Sequence, residues 1–231
     1  MHLRHAILLA VALTPTVVRA QESYKVEALK QAPPEAISGA IRGALEAQGY
    51  RIVDDQGKSY AEFWLRKATP AQGKPAGPKG AILFPVLQDG ELLGALRFPG
   101  EGHDYRDQAI EQGAYTLRYG LLPINGDHLG VSPNRDYALL LPAAKDTAIA
   151  ALPRKKLEAG SSESAWTSHP AILMLTAAPD ASPRAKGEPA LVHDEATNTW
   201  GAVVPLSLAV DGEPAAVTLN VQLIVVGIAP V

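Results

Sequence analysis

The chain has 231 residues, a net formal charge of −3 at pH 7 and no cysteine. This charge argues against nucleic acid or an anionic membrane as the main partner, because both attract clustered positive charge. The missing cysteine excludes disulfides, thiolate-ligated zinc and a cysteine nucleophile.

The N-terminus, MHLRHAILLAVALTPTVVRA, predicts a cleaved signal peptide over residues 1–20. A short basic stretch precedes an apolar run, and Val18 and Ala20 satisfy the small-residue rule of signal peptidase. An uncleaved N-terminal anchor is the alternative. Since the chain has neither cysteine nor an Asn-x-Ser/Thr acceptor, we expect a bacterial periplasmic or secreted protein, with no membrane span after cleavage.

Residues 21–68 predict a helix followed by a β-hairpin. Ile37, Ile41 and Leu45 recur at helical spacing and define one apolar face. Two strand-like segments then flank Asp-Asp-Gln-Gly at residues 54–57, which has the composition of a tight turn. We expect this region to be a small unit at the start of the mature protein.

Two aromatic side chains of the second strand, Tyr60 and Trp64, are predicted to share the face opposite Phe63. Exposed aromatic residues on a sheet can bind a sugar or a protein. The alternative is that the helix or the second domain covers this face, which would make Trp64 a core residue. Trp166 and Trp200 lie beside predicted strands, and we expect both to pack.

Residues 69–80 predict a solvated linker, because they are rich in proline, glycine and lysine and contain no acidic residue. After it, residues 81–231 have the two-residue period of β-strands almost throughout, with one possible helix between Lys145 and Trp166. Hairpins are predicted around Gln88-Asp89-Gly90 and around Asp211-Gly212.

This pattern predicts a mainly β fold. We expect an antiparallel β-sandwich domain over residues 81–231, of the jelly-roll or immunoglobulin-like kind. The helix and hairpin of residues 21–68 would form a small N-terminal appendage to it.

Two polar, glycine-rich loops contain the candidate ligand-binding residues. These are His103, Asp104 and Asp107 in GEGHDYRDQ, and Asp127, His128 and Asp136 in NGDHLGVSPNRD. Imidazole beside a carboxylate can bind a metal ion or transfer a proton. The strand AYTLRYGLLP between the loops would, however, hold them about 30 Å apart at ~3.3 Å per residue. We therefore expect both loops to turn the chain, with no metal bound.

The sequence contains no nucleophile elbow, phosphate loop, dinucleotide fingerprint or His-Glu-x-x-His helix. We therefore expect a non-catalytic binding or structural module of the bacterial envelope, without a cofactor, whose partner is a protein or a carbohydrate. The alternative is a metal-dependent or His/Asp acid–base hydrolase acting on an extracellular substrate. Only the two polar loops support that alternative.

Overall fold

A computed structural model describes residues 23–124, 132–179 and 189–228. The predicted signal peptide, Asp127 and His128 lie outside these ranges. The described part is mainly β, as expected, and none of its helices has the length and apolar character needed to cross a membrane.

Within these ranges the chain forms thirteen strands and two helices. The strands are β1 (Tyr24–Leu29), β2 (Gly49–Asp54), β3 (Ser59–Leu65), β4 (Thr69–Ala71), β5 (Leu92–Phe98), β6 (Gly102–His103), β7 (Ala109–Ile110), β8 (Gly113–Leu121), β9 (Asp136–Pro142), β10 (Ile172–Ala177), β11 (Ala190–Asp194), β12 (Thr199–Val210) and β13 (Val217–Val226). The helices are α1 (Gly39–Ala44) and α2 (Arg154–Ser164).

Eleven strands form one mixed sheet in the order β1-β2-β3-β5-β8-β9-β10-β13-β12-β11, with β4 parallel to β12. The sheet curls so that β1 approaches β11 and β12, where the rings of Tyr24 on β1 and Trp200 on β12 lie edge to face at 5.6 Å. A β-sandwich is therefore not confirmed, since the strands belong to one curled sheet. Strand twist accumulates across many strands, so a long sheet can bury its inner face against itself.

The inner face of the curled sheet contains the main core, with Phe63, Leu96, Leu173 and Leu223 among its buried residues. The outer face has two smaller cores. One of them lies beneath α1 and the other beneath α2, where Leu157 contacts side chains of β9 and β10.

The amphipathic segment around α1 is confirmed, because Ile37, Ile41 and Leu45 are all buried in one cluster. The helix itself is shorter than the apolar spacing suggested. Ser38 caps it, and Leu45 already has an extended backbone that bridges to Arg66. At Leu45 the chain therefore pairs with Arg66 instead of continuing the helix.

Most predicted strands are present, and the hairpins at residues 54–57 and at Asp211-Gly212 are confirmed. The hairpin predicted around Gln88-Asp89-Gly90 is wrong, because residues 81–87, which would have been its first strand, form turns. There the backbone N–H groups of Leu83 and Phe84 donate to the carboxylate of Asp136 rather than to a strand. The Asp136 carboxylate accepts the backbone hydrogen bonds that a neighbouring strand would otherwise accept.

The predicted regions 21–68 and 81–231 contribute neighbouring strands to the same sheet, because β3 pairs with β5 along Glu62–Leu65. The predicted linker begins with β4, whose Thr69 is buried beside β12. Beyond β4, most of the segment is exposed. The division into domains stays a prediction.

Candidate binding surface

The first predicted loop connects β6 and β7, and Asp104 organises it. One carboxylate oxygen of Asp104 accepts the backbone N–H groups of Arg106 and Gln108, both at 2.8 Å. The other accepts the Gln108 side-chain amide at 2.8 Å and the N–H of Ile172 at 3.1 Å. The buried carboxylate therefore shapes the turn and ties it to β10, and its oxygens are fully occupied by donors.

His103 and Asp107 form an exposed pair at this turn. His103 Nδ1 lies 2.9 Å from Asp107 Oδ1, with side chains 44% and 60% exposed. The hydroxyl of Tyr60 accepts the backbone N–H of His103 at 3.2 Å. In the described ranges, no three His, Asp or Glu side chains are grouped so that they could share a metal ion. The loop turns the chain, and a ligand-binding role for His103 stays a prediction.

Asp136 lies at the start of β9 and contacts other elements. Its carboxylate accepts the N–H of Leu83 at 2.8 Å, the N–H of Phe84 at 3.1 Å and the hydroxyl of Tyr119 at 2.6 Å. Burial, followed by the hydrogen bond to Asp136, raises the pKa of Tyr119 far above its ordinary value. Asp136 is thus a buried structural acceptor, and among the described residues it shares no hydrogen-bond partner with the first loop.

The predicted pairing of Tyr60 and Trp64 on one face is wrong. The register of β2 against β3 shifts opposite Tyr60, and this side chain packs on the inner core beside Phe98. Trp64 is buried in the α1 cluster, and its indole N–H donates to the carbonyl of Gln31 at 2.8 Å. Coverage by the helix, the alternative interpretation, is confirmed for Trp64. A bulge of this kind reverses which face a residue occupies.

Trp166 is the residue that sequence reasoning missed, because we expected it to pack. It follows α2 directly, with a positive φ of 52° and a side chain that leaves the residue 78% exposed. Its N–H donates to the carbonyl of Glu163, and the next N–H, of Thr167, donates to Ser162, both at 3.4 Å. This is the Schellman pattern, in which glycine usually occupies the position of Trp166.

The other tryptophan expected to pack, Trp200, does so. Its indole stacks on the His193 ring at 4.1 Å and lies edge to face with Tyr24. Trp200 lies within β12 and packs on neighbouring rings, whereas Trp166 lies beyond the end of α2 and is exposed.

Hydrogen bonds join the first loop to the segment that contains Trp166. The hydroxyl of Thr167 donates to Gln108 Oε1 at 2.6 Å, and the Gln108 amide donates to the carbonyl of Pro170 at 3.3 Å. We call the exposed area formed by Trp166–His169 with His103, Asp107 and Gln108 the Trp166 surface. Two predicted candidates, His103 and Asp107, belong to this surface, and the buried Asp104 lies beneath it. Asp136 and Trp64 lie elsewhere.

Two polar groups of the Trp166 surface are available to a ligand. The Ser168 hydroxyl and the His169 ring are exposed, and neither makes a hydrogen bond with the described part of the chain. The Thr167 hydroxyl is engaged, since it accepts the N–H of His169 at 3.1 Å in addition to contacting Gln108. The surface therefore combines an indole face with free hydrogen-bonding groups, on a turn that is held by hydrogen bonds to Gln108.

The buried ion pair of Arg118 and Asp146 has no free hydrogen-bonding groups of this kind. Arg118 binds both oxygens of Asp146, with Nε at 2.6 Å and Nη2 at 2.9 Å. It also donates to the carbonyl of Gly90, before β5, and to carbonyls of the loop before α2. The hydroxyl of Thr116 adds a further bond to Asp146. This network fixes the loop to the sheet and leaves little for a ligand.

A groove of about 550 Å³ lies between the β2–β3 region and β12–β13. Its lining includes Tyr50, Arg66, Pro205 and Ser207. Its volume suits a small ligand, but most of the Arg66 side chain is buried and its Nη1 is already paired with Glu91. The aromatic residue of its lining, Tyr50, is half-buried and packs against Phe63, unlike the exposed indole of the Trp166 surface.

Comparison with known proteins found no matching family model, no similar curated protein and no similar solved structure.

Proposed function

We propose that this is an exported, non-catalytic binding protein of the bacterial envelope, and that the Trp166 surface is its binding face. One observation carries the assignment of the surface: a tryptophan that is 78% exposed occupies a position with a φ of 52°. The cysteine-free sequence and the signal-like N-terminus support export.

Fold stability does not explain Trp166. A left-handed backbone costs a residue with a Cβ roughly 1–2 kcal/mol, and glycine avoids most of that cost. Tryptophan also stabilises a protein chiefly by burying its large ring, whereas this ring faces solvent. A residue that is unfavourable in both respects is explained by a contact made outside the chain.

The hydrolase alternative rests on the His103–Asp107 pair, whose 2.9 Å geometry would suit proton transfer. Among the described residues, however, this pair has no serine or threonine hydroxyl as a hydrogen-bond partner. Asp104, the neighbouring carboxylate, is occupied by backbone and amide donors. The geometry therefore favours binding over catalysis.

Co-sedimentation with an envelope fraction of the producing bacterium tests the binding function. The unmodified protein should pellet with the fraction, and Trp166→Gly should weaken binding at least about tenfold, as expected for a central aromatic contact. Ile149→Ser is the matched control, because Ile149 is an exposed apolar residue of another loop. Equal binding by the unmodified protein and Trp166→Gly would overturn the assignment of the surface.

Export is tested separately by fractionation and intact mass. We expect the protein outside the cytoplasm with Gln21 as its first residue. A mass that retains residues 1–20 would contradict cleavage and indicate an anchored protein.

A further inference from the structure

The surroundings of Trp166 restrict the chemistry of its ligand. The exposed residues that precede and follow it are polar, namely Glu163, Thr167, Ser168 and His169. The carboxylate of Glu163 is already paired with Lys145. What remains around the indole is a hydroxyl, an imidazole and a hydrogen-bonded backbone, with no second exposed aromatic or aliphatic side chain in the segment.

This composition is unfavourable for a protein interface. Binding hot spots of proteins lie at the centre of a patch from which neighbouring side chains exclude water, and the buried core of such a patch is depleted in charged groups. At the Trp166 surface, the indole is instead flanked directly by hydrated polar side chains. A partner that itself alternates an apolar face with hydrogen-bonding groups is a better match.

We propose that the Trp166 surface binds a saccharide. The C–H groups on one face of a sugar ring would stack on the indole of Trp166, whose π-face is electron-rich. The ring hydroxyls would bond to the Ser168 hydroxyl and the His169 imidazole, which have no partner in the described chain. This proposal rests on the proposed binding function.

Thr167 and Gln108 are positioning residues in this arrangement. Gln108 uses its carbonyl oxygen on Thr167 and its amide on Asp104 and Pro170, so it holds the two loops together. Gln108→Ala should therefore weaken binding, because it moves the contacting groups without removing them. The binding that remains should be just as sensitive to periodate oxidation of the ligand as that of the unmodified protein.

The test repeats the co-sedimentation after selective destruction of the ligand. One portion of the envelope fraction is oxidised with periodate, which cleaves sugar diols, and another is digested with a broad protease; both reagents are removed before the protein is added. We expect periodate to abolish the Trp166-dependent binding and protease to leave it intact. Trp166→Tyr should retain most of the binding, since it keeps an aromatic face, and Trp166→Gly should lose it.

The outcomes separate the two proposals. Binding that resists periodate and disappears after protease would overturn the saccharide ligand and leave the binding function standing. Failure of the unmodified protein to pellet with any untreated fraction would overturn both. Trp166 also reports directly, because its indole is exposed, whereas Trp64 is buried and Trp200 is half-buried against His193. Iodide quenching of tryptophan fluorescence should fall when the untreated fraction is present and should be unchanged with the periodate-oxidised one.

Discussion

Replacing Trp166 with glycine is predicted to increase stability and to weaken binding. Replacement by glycine should raise the free energy of unfolding by about 1 kcal/mol, because glycine adopts the left-handed conformation without a Cβ clash. Urea unfolding monitored by circular dichroism measures the change. Binding should fall in the same variant.

Trp166→Ala separates the backbone from the side chain in this prediction. It removes the indole but keeps the Cβ, so it should lose binding without the gain in stability. Equal destabilisation of both variants would show that the indole packs against the chain, which would contradict the prediction.

His103 is predicted to matter little for stability. The residue is exposed and its pair with Asp107 is solvated, so His103→Asn should change the free energy of unfolding by no more than about 0.5 kcal/mol. The melting temperature of the unmodified protein should not respond to EDTA. A chelator-induced fall in melting temperature that is absent from the His103→Asn variant would indicate a bound metal.

Among the elements, β8 and β9 are tied to the turn at residues 83–84 through Tyr119 and Asp136. Burial and the Asp136 carboxylate raise the pKa of Tyr119 in the folded state, whereas an unfolded tyrosine ionises near about pH 10. The protonated phenol therefore stabilises the fold fully below that pH. Above it, the unfolded chain loses its proton first, and stability should decline.

Tyr119→Phe tests this coupling. The variant should be less stable near neutral pH, because it leaves the Asp136 carboxylate with one donor fewer. Between about pH 9 and about pH 11, its free energy of unfolding should fall less steeply than that of the unmodified protein. Parallel urea-unfolding curves of the two proteins across this range would contradict the prediction.

For the whole molecule, limited proteolysis tests how residues 69–80 relate to the sheet. Lys79 is exposed and is followed by Gly80, so brief trypsin treatment should cut after Lys79. Lys74 is not a trypsin site, because Pro75 follows it. Because β3 pairs with β5 and β4 pairs with β12, the two fragments should still elute together in size-exclusion chromatography and separate only in denaturant. Separation without denaturant would indicate two independent domains, and resistance to cleavage would show that the segment is packed.

The local sequence pattern was sufficient to predict an element when one of its faces is buried along its whole length. The hairpin of β12 and β13 follows from alternation across Asp211-Gly212, and the covered face of Ile37, Ile41 and Leu45 follows from helical spacing. The spacing of apolar residues reflects which side of a segment is buried, so it predicts a helix or a strand before the fold is known. The same period cannot say whether strands form two sheets or one, because both arrangements bury the same alternate residues.

The tertiary structure alone decided the curl of the sheet, the face of Tyr60 and the exposure of Trp166. Tyr60 changes face through an irregularity in its pairing with β2, and Trp166 is exposed because the chain turns at the end of α2. Gln108 meets Thr167 across 59 residues of sequence through the pairing of distant strands. Such placements depend on strand register and on contacts between distant parts of the chain, which alternation and composition do not encode. A binding surface assembled from two loops can therefore be identified only in the folded structure.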